Sequence, residues 1–347
     1  MKPGLVFIGN YLDPSRHSPP IGIELASRLR ARGWEVLLTS SYENRLLRLL
    51  DMVSTVFLKR DFYQVAQVDV FSGLAFFWAE FVCQALRVLK KPYVLTLHGG
   101  NLPVFADKWP WWVRNLLSSA VAVTAPSQYL FQKMRPYCCS LEFLPNPINL
   151  SAYSFQERKH VALCLVWLRA FHHIYNPSLA PRVLALLKEE FPDANLTMVG
   201  PDKGDGSLEL TRKVAQDLGV QDGVEYLGSV PKANVPDVLQ QGDIFINTTN
   251  VDNTPISVLE AMACGLCVVT TNVGGLPYLL EDGVDALLVP PDDPQAMANA
   301  IRRLLTEPGF SEKLSANARR KAEGFDWSMI LPQWEKLFLE LDNKGNA

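Results

Sequence analysis

No stretch of this 347-residue sequence stays apolar for the roughly 20 residues that a membrane-spanning helix needs. The nearest, Val70 to Leu89, is interrupted by Ser72, Glu80, Gln84 and Arg87 and is expected to be a buried helix instead. The start, Met1 to Gly9, has too short an apolar run for a secretory signal and reads as a first buried strand, so a cytoplasmic location is expected. Cysteine is scarce: the six, at 83, 138, 139, 164, 264 and 267, show no disulfide framework and are expected to be reduced core residues. Cys264 and Cys267 have redox-motif spacing, but no second Cys or His pair lies nearby in sequence to complete a zinc site. Basic residues form no dense run with interleaved aromatics, which argues against a nucleic-acid surface.

What the sequence does have is bulk. At 347 residues and 48% apolar content it can build two cores, at about 150 residues per domain. Charge is divided unevenly between the halves. Residues 1 to 160 hold 18 Lys and Arg against 11 Asp and Glu, and the remainder holds 15 against 25. A basic half suits anionic lipid head groups or a phosphorylated acceptor, and the cluster Trp109 to Arg114 suits an interface, so peripheral contact at the inner face of a membrane is a further expectation.

Short apolar runs alternate with helical patterns throughout, which is the mark of parallel sheets covered on both faces. Strands are predicted at Leu5–Ile8, Val36–Leu38, Val68–Phe71, Tyr93–Leu97 and Ala122–Ala125. A second series runs through Ala162–Val166, Leu196–Val199, Tyr226–Leu227, Ile244–Ile246, Val268–Val269 and Leu287–Val289. Proline, polar residues and charge interrupt the pattern between Pro145 and Lys159. The expected fold class is therefore α/β, with two Rossmann-like domains, residues 1–155 and 156–347.

Residues 245 to 291 are the most informative. Phe245 and Ile246 end a strand, a polar loop carries Asp252, and a helix begins near Pro255, with Asn253 or Thr254 as its cap and Pro255 in its first turn. The main-chain N–H groups of that first turn, around Ile256, suit an anion. A following loop, Gly274-Gly275, can bring backbone close to the same place.

This stretch resembles the donor-binding motif of the retaining glycosyltransferases called group 1 or family 4. That pattern is an acid, seven spacers, Glu within Leu-Glu-Ala-Met-Ala, a Gly-Gly loop and an Asp-Gly turn. Here these are Asp252, Glu260, Gly274-Gly275 and Asp282-Gly283. The resemblance implies the GT-B architecture, in which two Rossmann-like domains face each other across a cleft and the terminal helix, Trp327 to Leu341, packs back on the first domain. It implies that Glu260 holds the ribose of a nucleoside diphosphate sugar, UDP- or GDP-linked, and that Asp252, shorter than the usual Glu, contacts the transferred sugar. Asn253, Thr254, Pro255, Ile256, Gly274 and Gly275 would line the donor site.

Further segments extend the likeness. Thr96-Leu97-His98 resembles the acceptor-side Thr-x-His, which makes His98 a candidate to donate to a sugar hydroxyl or a developing charge. Arg169, just after the first strand of the second domain, fits the diphosphate clamp; no lysine follows, and His172 or His173 stands in its place. Adjacent histidines diverge in regular structure, and the resemblance implies that no metal is bound. The first loop, Gly9-Asn10 and Arg16 to Pro20, lacks the usual Gly-Gly and is expected to shape the acceptor pocket, and Tyr278 stands where the family often has Glu. Ser127 is expected to cap a helix.

The implied reaction is transfer of a sugar to an acceptor hydroxyl on a sugar, glycolipid or similar molecule, with retention at the anomeric carbon. The leaving diphosphate takes the proton, while Arg169, the helix end at Pro255 and the Gly274-Gly275 amides hold the charge left behind. The alternatives are a noncatalytic nucleotide-sugar-binding partner subunit, and an isomerase or phosphorylase on the same fold.

Overall fold

The computed structural model describes residues 2–11 and 20–345, with side chains as far as Asn343. Arg16 to Pro19, part of the first-loop expectation, lie outside the described residues. The chain divides into two compact units, residues 1–146 with 328–347, and residues 147–327.

In the first unit the strands are β1 (Leu5–Ile8), β2 (Val36–Thr39), β3 (Val65–Val70), β4 (Tyr93–Leu97), β5 (Ala122–Ala125) and β6 (Leu141–Phe143). Between them run α1 (Ile21–Ala31), α2 (Arg45–Leu58), α3 (Leu74–Val88), α4 (Leu102–Lys108), α5 (Pro110–Ser118) and α6 (Gln128–Met134). The strands form one parallel sheet in the order β2-β1-β3-β4-β5-β6. Every residue of β1, β4 and β5 is buried, as continuous apolar runs in a sheet covered on both faces require. Strand β3 begins three residues before the predicted run, because Gln67 is carried in the buried sheet on hydrogen bonds to Asp69 and Thr96. Ser127 caps α6, accepting from the Leu130 N–H at 3.0 Å.

The second unit repeats the plan. Its elements are β7 (Cys164–Leu168), α7 (Leu179–Lys188), β8 (Asn195–Val199), α8 (Ser207–Asp217), β9 (Val224–Gly228), α9 (Val235–Gln240), β10 (Ile244–Asn247), α10 (Ile256–Cys264), β11 (Cys267–Thr271), α11 (Leu276–Leu279), β12 (Leu287–Val289), α12 (Pro294–Thr306) and α13 (Phe310–Glu323). The parallel strand order is β12-β11-β10-β7-β8-β9. Two apolar clusters, one around Trp167 and Leu184 and one around Phe245 and Met262, form its core.

Three expectations are corrected. The break between the units falls after Asn146 rather than after residue 155, because Ile148 pairs with Asp326 and the Gln156 N–H donates to the Cys264 carbonyl, both inside the second unit. Helix α3 is amphipathic rather than buried: Phe76, Val82 and Leu86 are enclosed, while Leu74 and Phe81 are exposed. Among the described residues no helix is long and apolar enough to cross a membrane. Of the cysteines, Cys139 is exposed and Cys164 half-buried, so only Cys83, Cys138, Cys264 and Cys267 are core residues. Burial pushes the Cys264 thiol up to about 11 and that of Cys267 up to about 12, which suits packing rather than redox chemistry.

The final helix, α14 (Trp327–Gly345), contributes to the first unit from Ser328 onward. Phe338 is fully buried with its ring 5.7 Å from Phe7 and 6.0 Å from Trp34. Glu335 completes the attachment, accepting from Lys2 Nζ at 3.0 Å, Trp34 Nε1 at 2.8 Å and an Arg32 guanidinium nitrogen at 2.7 Å. Burial pushes this carboxyl up, but the three donors outweigh it and hold it below its ordinary value. Its stabilisation is therefore present above the ordinary carboxylate range and fades as pH falls through the lowered value. Glu335→Gln should cost about 1–3 kcal/mol at pH 7. In urea unfolding the gap between the two proteins should narrow as the buffer is taken below about pH 4.

Candidate functional site

Where the strand order of an open parallel sheet reverses, the loops leaving neighbouring strands diverge and open a crevice beyond their carboxyl ends. In the second unit that reversal lies between β7 and β10. The residues leaving those strands are Arg169 and the loop from Thr248 to Pro255.

Arg169 is fixed from its own backbone. Its N–H donates to the Val199 carbonyl at 3.0 Å, and its carbonyl sits so close to Gly200 that a Cβ there would lie 1.7 Å away. The guanidinium lies 4.0 Å over the Tyr175 ring and forms an ion pair with Asp252. Its Nε is buried with no hydrogen-bond partner among the described residues.

Asp252 is 10% exposed at its side chain. One carboxylate oxygen accepts the Asn253 N–H at 2.9 Å. Burial raises its carboxyl above the ordinary value, against the opposing pull of Arg169 and the Asn253 amide. The loop before it is held throughout: Trp167 Nε1 donates to Thr248 Oγ1 at 2.9 Å, that hydroxyl donates to the Tyr175 carbonyl at 2.8 Å, and the Asn250 N–H reaches the Ile174 carbonyl at 2.8 Å.

The start of α10 differs from expectation. Pro255 is itself the N-cap residue, and no side chain caps the helix, so neither Asn253 nor Thr254 acts as its cap. A cap must place its oxygen over the amides of the second or third helical residue; with Pro255 at the junction, those two residues belong to the loop. Pro255 itself offers these first amides no side-chain acceptor. Ser257 Oγ, in the first turn, is buried with no partner among the described residues.

Glu260 lies one turn further on and is 3% exposed. It accepts the Tyr153 hydroxyl at 2.8 Å and forms an ion pair with Lys232. Lys232 sits on the short turn before α9, and its side chain is half exposed. Neither partner is adjacent to Glu260 in sequence, and no spacing rule points to either.

Gly274-Gly275 also does something other than expected. The Gly275 N–H donates to the Asp252 carbonyl at 3.0 Å and so is not available to a ligand. A Cβ on Gly274 would lie 2.0 Å from the Asp252 carbonyl oxygen, and one on Gly275 1.7 Å from that of Asn253. The glycines let one loop lie flat on the other and thereby set the position of Asp252.

His172 and His173 do not diverge. A single 3-10 turn, rather than a strand or helix, brings their rings to 4.2 Å, and both approach Asp205. The three residues offer donor atoms within 4.8 Å of one another, a set compatible with a divalent ion. His172 Nδ1 accepts the Ile174 N–H at 3.3 Å, however, which leaves the hydrogen of a neutral ring on Nε2, the nitrogen facing Asp205. Hydrogen bonds from Ser207 and His173 hold the Asp205 carboxyl well below its ordinary value.

In the first unit, His98 closes the end of β4. Its Nε2 is 2.9 Å from Asp69, and its ring stacks on Phe71 at 4.8 Å. Asp69 also accepts from Gln67 Nε2 at 2.7 Å. This carboxylate is the partner that the sequence reading missed; its alternation with Gln67 inside an apolar strand was the available signal.

Residues 155–321 match the family described as Glycosyl transferases group 1. A D-inositol 3-phosphate glycosyltransferase of Thermobifida fusca is 30% identical over 154 residues, which is 44% of this chain and 33% of that protein. The counterpart from Actinosynnema mirum is 32% identical over 172 residues, 48% of this chain and 41% of the relative, so well under half of these relatives' length is matched. Among solved structures, sucrose-phosphate synthase of Thermosynechococcus elongatus superposes with a TM-score of 0.80 at 18% identity, covering 98% of this chain and 99% of its own. HepE of Anabaena, solved in complex with UDP, gives 0.77 at 17% identity, covering 98% and 100%. At such identities these two show the shared fold. The second unit of this chain thus matches the group 1 glycosyltransferase family over most of its length, and the chain as a whole has the two-sheet GT-B fold.

Proposed function

We propose that this protein is a retaining glycosyltransferase that moves a sugar from a nucleoside diphosphate sugar to an acceptor hydroxyl in glycan, glycolipid or polysaccharide synthesis. The observation that carries this reading is the group at the β7/β10 reversal: the Arg169–Asp252 pair, buried Glu260 and a helix start without a side-chain cap. The uncapped amides of α10 and the unpartnered Nε of Arg169 are donors suited to a diphosphate. Glu260 takes the ribose hydroxyls, and Asp252 takes a hydroxyl of the transferred sugar.

Lys232 supplies the second cation that the segment after β7 lacks, with His173 beside the phosphates. The Gly275 amide is committed to Asp252, so charge on the leaving group is met by Arg169, Lys232 and the α10 end instead. The diphosphate takes the acceptor proton, and binding and orientation do most of the rest. The complexes of HepE with UDP and with UDP-glucose, together with the shared fold, favour a UDP-sugar as donor.

His98, hydrogen-bonded to Asp69, donates to the acceptor or to charge developing on the sugar. The noncatalytic reading draws on one observation, that Asp252 and Glu260 already hold donors of this chain. Following sugar transfer and hydrolysis with UDP- and GDP-sugars separates the two, because a binding protein releases neither product.

Glu260→Gln keeps the volume and the Tyr153 contact but removes the charge. Isothermal titration with UDP should show a loss of about 1.5–3 kcal/mol, or about 10- to 100-fold in Kd. Wild-type affinity in that variant would remove Glu260 from the site.

His98→Ala should leave the Kd for UDP unchanged and lower kcat by about 100-fold. Asp69→Asn, which preserves a hydrogen-bond partner, should give a smaller loss in kcat. An unchanged kcat in His98→Ala would show that the imidazole is not at the reaction.

A further inference from the structure

The connections from β2 to β3, β3 to β4 and β4 to β5 all move the same way along the first sheet, so their helices α2, α3 and α5 share one face of it. They lie side by side. The Arg48 guanidinium of α2 is 5.4 Å over the Trp78 ring of α3, and the Phe77 ring of α3 is 4.6 Å from that of Trp112 on α5. Their inward sides supply core residues such as Met52, Val56, Phe76, Val82 and Val113.

Their outward sides are apolar as well. On α2, Leu46, Leu50 and Leu58 are between 64% and 80% exposed; on α3, Leu74, Phe81 and Val88 are between 50% and 73% exposed; on α5, Trp111 is 75% exposed. At roughly 200 Å² for a whole large apolar side chain, these residues together leave about 1,000 Å² of apolar surface in water. The largest patch on a typical monomer is about 300–600 Å². A standard protein interface takes about 800 Å² from each partner, so this face alone reaches the size that a stable association needs.

The charges on these helices identify the partner. In α2, Asp51 accepts from Thr39 Oγ1 at 2.8 Å, Arg48 is buried, and Arg45 is the one exposed charge, at the first position. In α3, Glu80 and Arg87 bridge each other at 3.1 Å, and in α5 Arg114 lies 5.5 Å over the Tyr137 ring. The exposed cations Lys59, Arg60 and Lys90 stand past the ends of α2 and α3, where an interface has its polar rim. An anionic bilayer draws on several cations set beside the apolar side chains, each contributing about 1 kcal/mol. A nearly neutral apolar centre instead fits a surface like itself, because a two-fold interface brings the same patch to both sides and like charges there would repel.

We propose that this face joins two copies of the chain in a dimer. The outward side chains of α2 and α3 form the centre of the interface, and Trp111 extends it along α5. Pairing also gives α3 the cover that its composition calls for, since a helix with apolar residues on its inward and outward sides is ordinarily enclosed on both. The dimer stands apart from the transferase reading and is measured without any donor or acceptor.

The test is sedimentation equilibrium of the full chain at micromolar concentration, which should give twice the mass of one chain. Leu50→Glu and Phe81→Glu, made separately at exposed positions that leave the core intact, should each weaken the dimer by at least about 100-fold, because each would bury a carboxylate among apolar side chains. Circular dichroism should match the wild type in both. Leu210→Glu, at a 52% exposed leucine on α8 of the second unit, should leave the mass doubled. A wild-type chain that sediments as a monomer, or an association that survives both Leu50→Glu and Phe81→Glu, would overturn the proposal. Capture of a monomeric wild type, but not of Leu50→Glu, by phosphatidylcholine vesicles containing phosphatidylglycerol would also overturn it and give the face to a bilayer.

Discussion

The second unit depends on the ion pair between Arg169 and Asp252. Two charges removed from water cost more than their mutual attraction returns unless the remaining polar atoms are also engaged, and the surroundings are arranged to do that. Asp252 gains the Asn253 amide, its carbonyl gains the Gly275 amide, and Arg169 gains the face of Tyr175. Tyr175 belongs to the same turn that brings His172 and His173 together, and its carbonyl holds Thr248. A change at any of these points moves the pair, and with it the start of α10. The buried Nε of Arg169, without a hydrogen-bond partner among the described residues, is consequently presented from a rigid frame.

Each sheet reverses its strand order once beside its first strand, and each reversal carries the titratable groups of its unit. In the first these are Asp69, His98 and the arginines of α2; in the second they are Arg169, Asp252 and Glu260. The uneven charge of the two halves has a local counterpart here. The first crevice holds Arg45 and Arg48 beside Asp69, and the second pairs Asp252 with Arg169 and Glu260 with Lys232.

Much of this could be read from the sequence, for identifiable reasons. Buried parallel strands are continuous apolar runs, so β1, β4, β5 and β10 stood out with little error. Strand β6, Leu141–Phe143, was missed because it is short, half-exposed and lies at the sheet edge. Asp252, Glu260 and the glycine pair follow one another along a single strand-loop-helix-strand unit, which is why their spacing carried information. Lys232, Tyr153 and Tyr175 come to the same crevice from three other loops, and nothing local in the sequence distinguishes them. The glycines carry a contact that the sequence did not suggest: their lack of a side chain lets the two loops touch at the carbonyls of Asp252 and Asn253.

The attachment of α14 has a consequence for how the chain matures. Phe7 and Trp34 meet Phe338 only through a helix made after the entire second unit, and Glu335 gathers Lys2, Arg32 and Trp34 in the same step. The patch around Phe7 and Trp34 therefore lacks this cover until the second unit has been synthesised. The surface around Phe7 and Trp34 is thus closed only by the last helix that translation delivers.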